Sequence, residues 1–289
     1  MPGDIALNAL PLAVENVPSL WRHALPLRRA EDHKYTRGAA LVWSGGEFAT
    51  GAARMTAQAA LQIGAGLVTL AGGPAALRIH ATHVTAIMLR VITNAEDWKV
   101  AVAEPRLRAV AVGPAAGVGD ATREAALAAL AAGPAMVLDA DALTSFAGKL
   151  DVLAAATRAL PRPVILTPHE GEARVLFGEA GTATRPERAR AAARSGGAII
   201  ILKGHETLIA APDGRIAINT NAPPTLATAG SGDVLAGLIL GLLAQGMPGF
   251  EAACCGVWLH GEAGGRAGAH PIAEDFIAAI RDLPAFEAL

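Results

Sequence analysis

The residues that point most directly to chemistry are the small loop Ala229-Gly230-Ser231-Gly232 and the acid that follows it, Asp233. The run of apolar and small residues at 234–244 has the length of a buried helix, so the loop reads as a helix start. Free amides in a first helical turn and the positive end of the helix dipole favour an anion, most often a phosphate. A bound anion would repel Asp233, so either Ser231 or Asp233 caps the helix, or Asp233 takes part in a reaction.

Four further polar or glycine-bearing stretches each follow an apolar run of strand length, at residues 112–119, 138–143, 167–173 and 202–207. Ligands of open parallel sheets bind at the carboxyl ends of strands, so these stretches together predict one ligand cleft. The first stretch, VGPAAGVG, lacks the Lys-Ser/Thr of a Walker loop and the spacing of a dinucleotide fingerprint. In the third stretch His169 has two interpretations, because it either binds a substrate or caps a turn.

Short apolar runs alternate with helical patterns, which predicts strands buried on both faces of a parallel sheet and hence an α/β fold. The predicted strands are 39–43, 66–71, 86–92, 108–113, 135–141, 163–167 and 198–203. The predicted helices are 50–63, 120–132, 170–177 and 185–195, with three more after residue 232. Residues 207–212 and 215–220, joined by Asp213-Gly214, predict a hairpin at a sheet edge. Residues 1–32 are less regular and are predicted to form an arm or cap before a domain at 33–289.

The composition excludes several classes of partner. A formal net charge of −2 over 289 residues leaves no basic footprint for nucleic acid or an anionic membrane. No apolar run approaches the ~20 residues of a spanning helix, and the first residues lack the pattern of a secretion signal. Cys254 and Cys255 are adjacent in a helical pattern, which suits neither a disulfide framework nor a metal site. The expectations are a cytoplasmic location, small-molecule partners, and surface positions without metal for His80 and His83.

Eight motifs, in this order, resemble the ADP-dependent NAD(P)H-hydrate dehydratases of the ribokinase-like superfamily. The resemblance covers about residues 33–281 and predicts a three-layer α/β/α sandwich with a central, mostly parallel sheet. The motifs are HKYTRGAALVWSGG, TGAARMTAQAALQIGAGLVTL, AVGPAAGVG, VLDADAL, ILTPHEGEA, ILKGHET, NAPPTLATAGSGDVLAGLILGLLAQG and AACCGVWLHGEAG.

The resemblance implies a hydro-lyase of metabolite repair. The S-form of hydrated NADH or NADPH would be dehydrated back to NAD(P)H while ADP, or ATP as the alternative, is hydrolysed, with ADP giving AMP and phosphate. It implies a homo-oligomer, a tetramer, with Mg²⁺ held mainly by phosphates and water and with no protein metal site. By their motifs, the hydrate site would contain Ala52, Ala115, His169 and Asp233. The nucleotide site would contain Lys203, Gly204, His205, Glu206, Thr207 and Gly232, and the anion hole Ala229, Gly230, Ser231 and Gly232.

The chemistry that follows makes Asp233 the catalytic base. Phosphoryl transfer to the ring hydroxyl would create a good leaving group, and Asp233 would accept the hydroxyl proton as the phosphoryl group arrives. The chain departs from the family at Ala115, where the loop commonly reads Gly-Pro-Gly, and the alanine adds a methyl group where the backbone should approach the ligand closely. Two rivals stay open: a small-molecule kinase of the same superfamily that phosphorylates a sugar or vitamin, and a nucleotide sensor without turnover.

Overall fold

The central sheet carries the fold in this computed structural model, which describes residues 13–26, 30–179 and 181–283. Within these residues the sheet has ten strands in the spatial order β1-β10-β9-β8-β7-β6-β5-β2-β3-β4. Neighbours pair in parallel, except that β9 is antiparallel to both β8 and β10. The strands are β1 (Val14–Glu15), β2 (Ala39–Trp43), β3 (Leu67–Gly72), β4 (Met88–Val91), β5 (Leu107–Val112), β6 (Ala135–Leu138), β7 (Val164–Leu166), β8 (Ile199–Leu202), β9 (Thr207–Ala210) and β10 (Ile216–Asn219).

Helices cover both faces of the sheet, so the described chain forms a three-layer α/β/α sandwich. One buried cluster joins one sheet face to α1, α2, α9, α10 and α11, and a second joins the other face to α3 through α8. The helices are α1 (Gly51–Gln62), α2 (Pro74–Ala81), α3 (Ala95–Val102), α4 (Asp120–Ala132), α5 (Asp141–Ser145), α6 (Leu150–Arg158), α7 (Glu170–Phe177), α8 (Arg185–Gly196), α9 (Ser231–Ala244), α10 (Gly249–Arg266) and α11 (Ala273–Ile280).

The structure confirms the predicted α/β fold and the position of each predicted strand and helix. The helices α2, α3, α5 and α6 were not predicted, because at five to nine residues each is too short for a clear 3.6-residue apolar period. The surface position predicted for His80 is wrong. Its side chain is buried, and its Nε2 lies 2.7 Å from the hydroxyl of Ser44. Among the described helices, none is long and apolar enough to cross a membrane.

The predicted hairpin is formed by β9 and β10, and it lies next to one end of the sheet. Its turn contains Asp213 and Gly214, and Gly214 has a positive φ of 97°. The outermost strand is instead β1, which belongs to the N-terminal segment. In the same segment Trp21 is buried, and the centroid of its ring lies 5.6 Å from that of Trp258 in α10. Of the predicted arm or cap, residues 1–12 and 27–29 lie outside the described residues, and the boundary at residue 32 stays a prediction.

Helices α1 and α9 pack side by side in parallel because α9 carries glycine where it faces α1. A Cβ atom added to Gly237 would lie 2.3 Å from the carbonyl oxygen of Thr56, and one added to Gly241 would lie 2.6 Å from that of Ala60. No side chain fits at such distances. The close approach fixes the position of the first turn of α9 relative to α1.

Gly237→Ala is therefore expected to lower the free energy of unfolding by about 1–3 kcal/mol, because the added methyl group forces the two helices apart. Gly265→Ala in α10 is the matched control, since nothing lies within 4 Å of its added Cβ. That change should be neutral or stabilise the protein by up to about 1 kcal/mol through helix propensity. Urea denaturation of both variants measures the difference, and equal stabilities would contradict the close packing.

Candidate active site

A cleft of about 660 Å³ opens at the carboxyl ends of the central strands, beside the start of α9. It brings together residues from three of the predicted ligand stretches and adds an apolar wall from the loop before α9. The residues of the predicted sites that line it are His169, Lys203, Gly204, His205, Thr207, Ser231 and Gly232. Since these residues come from separate segments of the chain, the sheet topology creates the cleft.

The start of α9 is left open by its sequence. Gly230 is the N-cap residue, in a left-handed conformation with φ 86°, and no side chain caps the helix. The interpretation of Ser231 or Asp233 as a plain cap is therefore wrong. A Cβ atom on Gly232 would lie 3.6 Å from Nζ of Lys203 and 3.9 Å from Oδ2 of Asp139. The positive end of the helix dipole and the lysine therefore face the same space, which suits a phosphate group.

Asp139 is the buried carboxylate of the site, and the sequence analysis did not single it out. Its side chain is 3% exposed, and its Oδ1 accepts hydrogen bonds from Nζ of Lys203 at 2.9 Å and from the hydroxyl of Thr167 at 2.6 Å. Burial lowers the pKa of Lys203, but the carboxylates of Asp139, Glu172 and Asp233 outweigh it, so that this pKa is raised. Lys203 is therefore a cation at the cleft. The available signal was an acid directly after the buried strand at 135–138.

Asp233 lies in the first turn of α9 as a partly buried acid with an unusual affinity for protons. Burial above all, and then the charge of Asp139, raise its pKa to about 6, although the charge of Lys203 acts in the opposite direction. A carboxylate with a pKa close to neutral is suited to accept a proton in a reaction near pH 7. The geometry thus favours chemistry for Asp233.

Ala52 and Ala115 lie at the same edge of the sheet, although neither lines the 660 Å³ cleft. The hydroxyl of Thr56 donates to the backbone carbonyl of Asp233 at 3.1 Å, and Ala52 lies one turn earlier on the same face of α1. A Cβ atom on Gly45, in the loop after β2, would lie 1.9 Å from the carbonyl oxygen of Ala115. The loops after β2 and β5 are therefore in contact beside the start of α1.

The departure from the family at Ala115 has a conformational meaning. Ala115 has a φ of 51°, in the left-handed region that glycine adopts without strain. An L-residue there costs roughly 1–2 kcal/mol relative to its ordinary conformations. The loop thus keeps the backbone conformation that glycine favours although the residue is alanine. In this conformation the carbonyl of Ala115 packs on Gly45.

The structure confirms that His169 is a cap, and substrate binding by His169 stays a prediction. It is the N-cap of α7, where its Nδ1 accepts from the amides of Gly171 at 3.0 Å and Glu172 at 3.1 Å, and its own amide donates to Oε2 of Glu172 at 2.8 Å. The imidazole is nevertheless 60% exposed and lines the cleft. Because Nδ1 accepts, the neutral ring carries its proton on Nε2. Nε2 lies 3.4 Å from Oε1 of Glu172, so Glu172 orients the exposed ring at the edge of the cleft.

The other predicted positions divide between cleft and surface. Gly204 and His205 are exposed where the chain leaves β8, whereas Thr207 is buried at the start of β9. Glu206 does not line the cleft, and its carbonyl accepts from Nη1 of Arg185 at 2.8 Å. Ala229 is exposed and Gly230 half-buried in the loop before α9, where a Cβ on Gly230 would lie 2.6 Å from Cε of Met55.

His260 of α10 is a further lining residue that the sequence analysis missed. Its Nε2 lies 3.1 Å from the hydroxyl of Ser231, the first residue of α9. Burial lowers its pKa to about 4, although a hydrogen bond with the backbone of Ser231 acts in the opposite direction. The ring is therefore neutral near pH 7. Across residues 13–26, 30–179 and 181–283, no group of three or more His, Cys, Asp or Glu side chains could hold a metal ion.

The three-layer sandwich and the glycine-flanked acid at the start of α9 define a ribokinase-like protein. A family model described as NAD(P)H-hydrate dehydratase matches residues 40–280, and the chain belongs to this family. This match confirms the resemblance found in the eight motifs, which covers about residues 33–281.

The relatives include separate and fused proteins. The chain is 38% identical to the ADP-dependent (S)-NAD(P)H-hydrate dehydratase of Neisseria meningitidis, covering 83% of this chain and 81% of the relative. It is 39% identical to the bifunctional NAD(P)H-hydrate repair enzyme of Gloeobacter violaceus over 86% of this chain, and it spans about half of that relative's length. A crystal structure of the ADP/ATP-dependent NAD(P)H-hydrate dehydratase of Bacillus subtilis, co-crystallised with ATP/Mg²⁺, has a TM-score of 0.77 at 28% identity. That match covers 98% of this chain and 99% of the other.

Asp233→Asn is expected to raise the free energy of unfolding at about pH 8. The change caused by the substitution should be larger at pH 8 than at about pH 4, by on the order of 1–2 kcal/mol. Between the ordinary value of 3.8 and the folded-state pKa of about 6, the folded protein holds a proton that the unfolded chain has released. Stability is therefore lost as the pH rises through this window, and asparagine removes that loss. Calorimetry of the variant and of the exposed control Asp151→Asn measures it. An equal change at both pH values would contradict the raised pKa.

Proposed function

We propose that the protein dehydrates the S-form of hydrated NADH or NADPH to NAD(P)H while it hydrolyses ADP to AMP and phosphate. The observation that carries the proposal is Asp233, a half-buried acid with a pKa of about 6 in the first turn of α9, beside Lys203. Membership of the NAD(P)H-hydrate dehydratase family supports this activity over the kinase expected as its alternative.

In this proposal the nucleotide occupies the 660 Å³ cleft. Its phosphates lie at the N-terminus of α9, where the amides of 229–232 and the helix dipole stabilise negative charge. Lys203, whose raised pKa keeps it cationic, contacts the same phosphates. Gly204, His205 and Thr207 lie along the cleft. Glu206 does not line it, and its backbone carbonyl accepts a hydrogen bond from Arg185.

The hydrated ring binds next to the terminal phosphate, between the loop of Ala115, the first turn of α1 at Ala52 and the Nε2–H of His169. Asp233 accepts the proton of the ring hydroxyl as the hydroxyl oxygen bonds to the terminal phosphorus and the bond to the leaving nucleotide oxygen breaks. The ring nitrogen's lone pair then expels phosphate, and loss of a proton from the adjacent ring carbon restores the double bond. The departing nucleotide is AMP when ADP is the donor.

Magnesium fits this site as a companion of the nucleotide. The described residues form no three-ligand cluster, and the carboxylates of Asp139 and Asp233 lie at the start of α9, where the phosphates would bind. Mg²⁺ prefers phosphate, carboxylate and water oxygens, and it would neutralise phosphate charge there. ADP as the donor and a homotetramer stay predictions from the resemblance, and a cytoplasmic location stays a prediction from the sequence.

A phosphorus NMR time course with ADP, Mg²⁺ and the hydrated cofactor tests the reaction. Inorganic phosphate and reduced nicotinamide absorbance are expected to appear one for one, without a phosphorylated product, because the ring nitrogen expels the phosphate. Asp233→Asn should slow both signals by about 10²–10⁴. A stable phosphomonoester formed from any of a panel of sugars and vitamin alcohols, with the hydrate untouched, would establish the kinase instead.

Asp139→Asn is expected to move the acidic limb of the kcat/KM profile to lower pH. The charge of Asp139 raises the pKa of Asp233, and the variant both removes that charge and leaves Lys203 without its carboxylate partner. Both changes favour ionised Asp233, so the limb should leave the region of pH 6 toward ordinary carboxyl values. Asp151→Asn, exposed in α6, is the control with an unmoved profile. A limb that stays in place in Asp139→Asn would remove this charge coupling from the mechanism.

A further inference from the structure

We propose that Asn16, in the N-terminal segment, is a positioning residue for the nucleotide cleft and acts through Asn219. The proposal rests on a hydrogen bond between these two residues, in which Nδ2 of Asn16 donates to Oδ1 of Asn219 at 2.8 Å, although they lie 203 positions apart in the chain. Asn219 in turn lines the cleft. The inference rests on the proposed function in one respect, namely that the nucleotide occupies this cleft.

Asn16 is held firmly on the edge of the sheet. Its side chain is 3% exposed, its backbone amide donates to the carbonyl of Ile218 at 2.7 Å, and Nδ2 makes a second bond to the carbonyl of Cys254 at 2.8 Å. Trp21, five residues later, is buried against Trp258 of α10. The segment is thus anchored on both sides of Asn16, so that its carboxamide has a fixed position.

The carboxamides form a relay in which every donor points the same way. Asn219 is 1% exposed and donates through Nδ2 to Oδ1 of Asn221 at 2.7 Å. Asn221 donates in turn to the carbonyl of Trp258 and to Oε1 of Glu262, both at 3.0 Å. A carboxamide nitrogen only donates and its oxygen only accepts. The bond from Asn16 therefore selects one of the two orientations of the Asn219 amide.

The relay ends in the wall of the cleft. Asn221 stands directly before Ala222, Pro223 and Pro224, which line the cleft together with Asn219. A Cβ atom on Gly261 would lie 2.1 Å from Oδ1 of Asn221, so this arrangement is possible only over glycine. The position of the wall thus depends on the relay, and the relay begins in a segment that itself does not line the cleft.

Removal of Nδ2 from Asn16 leaves the buried Oδ1 of Asn219 without that donor. A buried acceptor that loses its donor is unfavourable, so the Asn219 amide would turn and its bond to Asn221 would break. The wall would then be less well ordered before the nucleotide binds. The nucleotide would have to order the wall when it binds, and this free-energy cost would reduce its affinity. Binding of the hydrate, near Ala52 and Ala115, would change little.

Calorimetric titration with ADP and Mg²⁺ tests the proposal on the full chain. Asn16→Leu should raise the Kd for ADP about tenfold, as expected for an unsatisfied buried amide. Asn16→Ser, which is smaller and better tolerated, should give a smaller rise. In steady-state kinetics the KM for ADP should rise while the KM for the hydrate and kcat at saturating ADP stay unchanged.

Two comparisons separate positioning from a general loss of stability. Asn94→Ala removes the side chain that caps α3 through the amides of Glu96 and Asp97, so it should lower stability without changing the Kd for ADP. In the Asn219→Ala background, Asn16→Leu should have no further effect on the Kd, because the two residues act as one unit.

The outcomes are distinct. A Kd for ADP in Asn16→Leu and Asn16→Ser within about twofold of the native protein, with stability lowered as in Asn94→Ala, would overturn the positioning role. Additive effects in the double variant would overturn the route through Asn219. A native protein that binds no ADP, or releases no phosphate with the hydrate, would instead contradict the proposed function.

Discussion

The site depends on one electrostatic constraint, the confinement of Asp139 and Asp233 near a single helix start. Burial disfavours the charge of Asp233, and the nearby charge of Asp139 disfavours it as well. Lys203 and the N-terminus of α9 make the arrangement tolerable, since Lys203 pairs with Asp139 at 2.9 Å and the helix dipole favours negative charge. Because the ion pair is formed with Asp139, Asp233 stays incompletely compensated and its pKa rises to about 6. The imbalance between two similar acids is what distinguishes a structural carboxylate from a reactive one.

The parallel sheet explains how this constraint is built. Asp139 follows β6, Thr167 follows β7 and Lys203 follows β8, and these three strands are neighbours in the sheet. Parallel strands end at the same edge, so side chains from segments about thirty residues apart meet there. The start of α9 reaches this edge because glycines let α9 lie directly against α1. Helix packing and strand order therefore act together to place Asp233.

Local backbone strain and distant support contribute to the same site. Ala115 keeps a left-handed conformation so that the loop after β5 can contact Gly45. On the other side of the cleft, the relay from Asn16 supports the wall at Ala222 through hydrogen bonds whose direction is fixed.

The sequence by itself determined the elements and the ligand-facing loops. Strands buried on both faces are continuous apolar runs, and the long run after Asp233 has the length of a buried helix, so the pattern located both without tertiary information. Family motifs added the expected ligands of positions such as His169 and Lys203. The short helices α2, α3, α5 and α6 were not predicted from the sequence, because a helix of about two turns is stabilised mainly by tertiary packing.

Only the tertiary structure decided which side chains act on one another. Nothing near His80 in the sequence predicts its burial, and its hydrogen-bond partner Ser44 lies 36 residues away in the chain. Asp139, His260 and Asn16 were missed for the same reason, since their partners Lys203, Ser231 and Asn219 are distant in the chain. Burial and charge proximity set a pKa, and both are properties of the folded arrangement. The sequence could therefore mark Asp233 as a candidate, while only its surroundings in the folded chain raise its pKa.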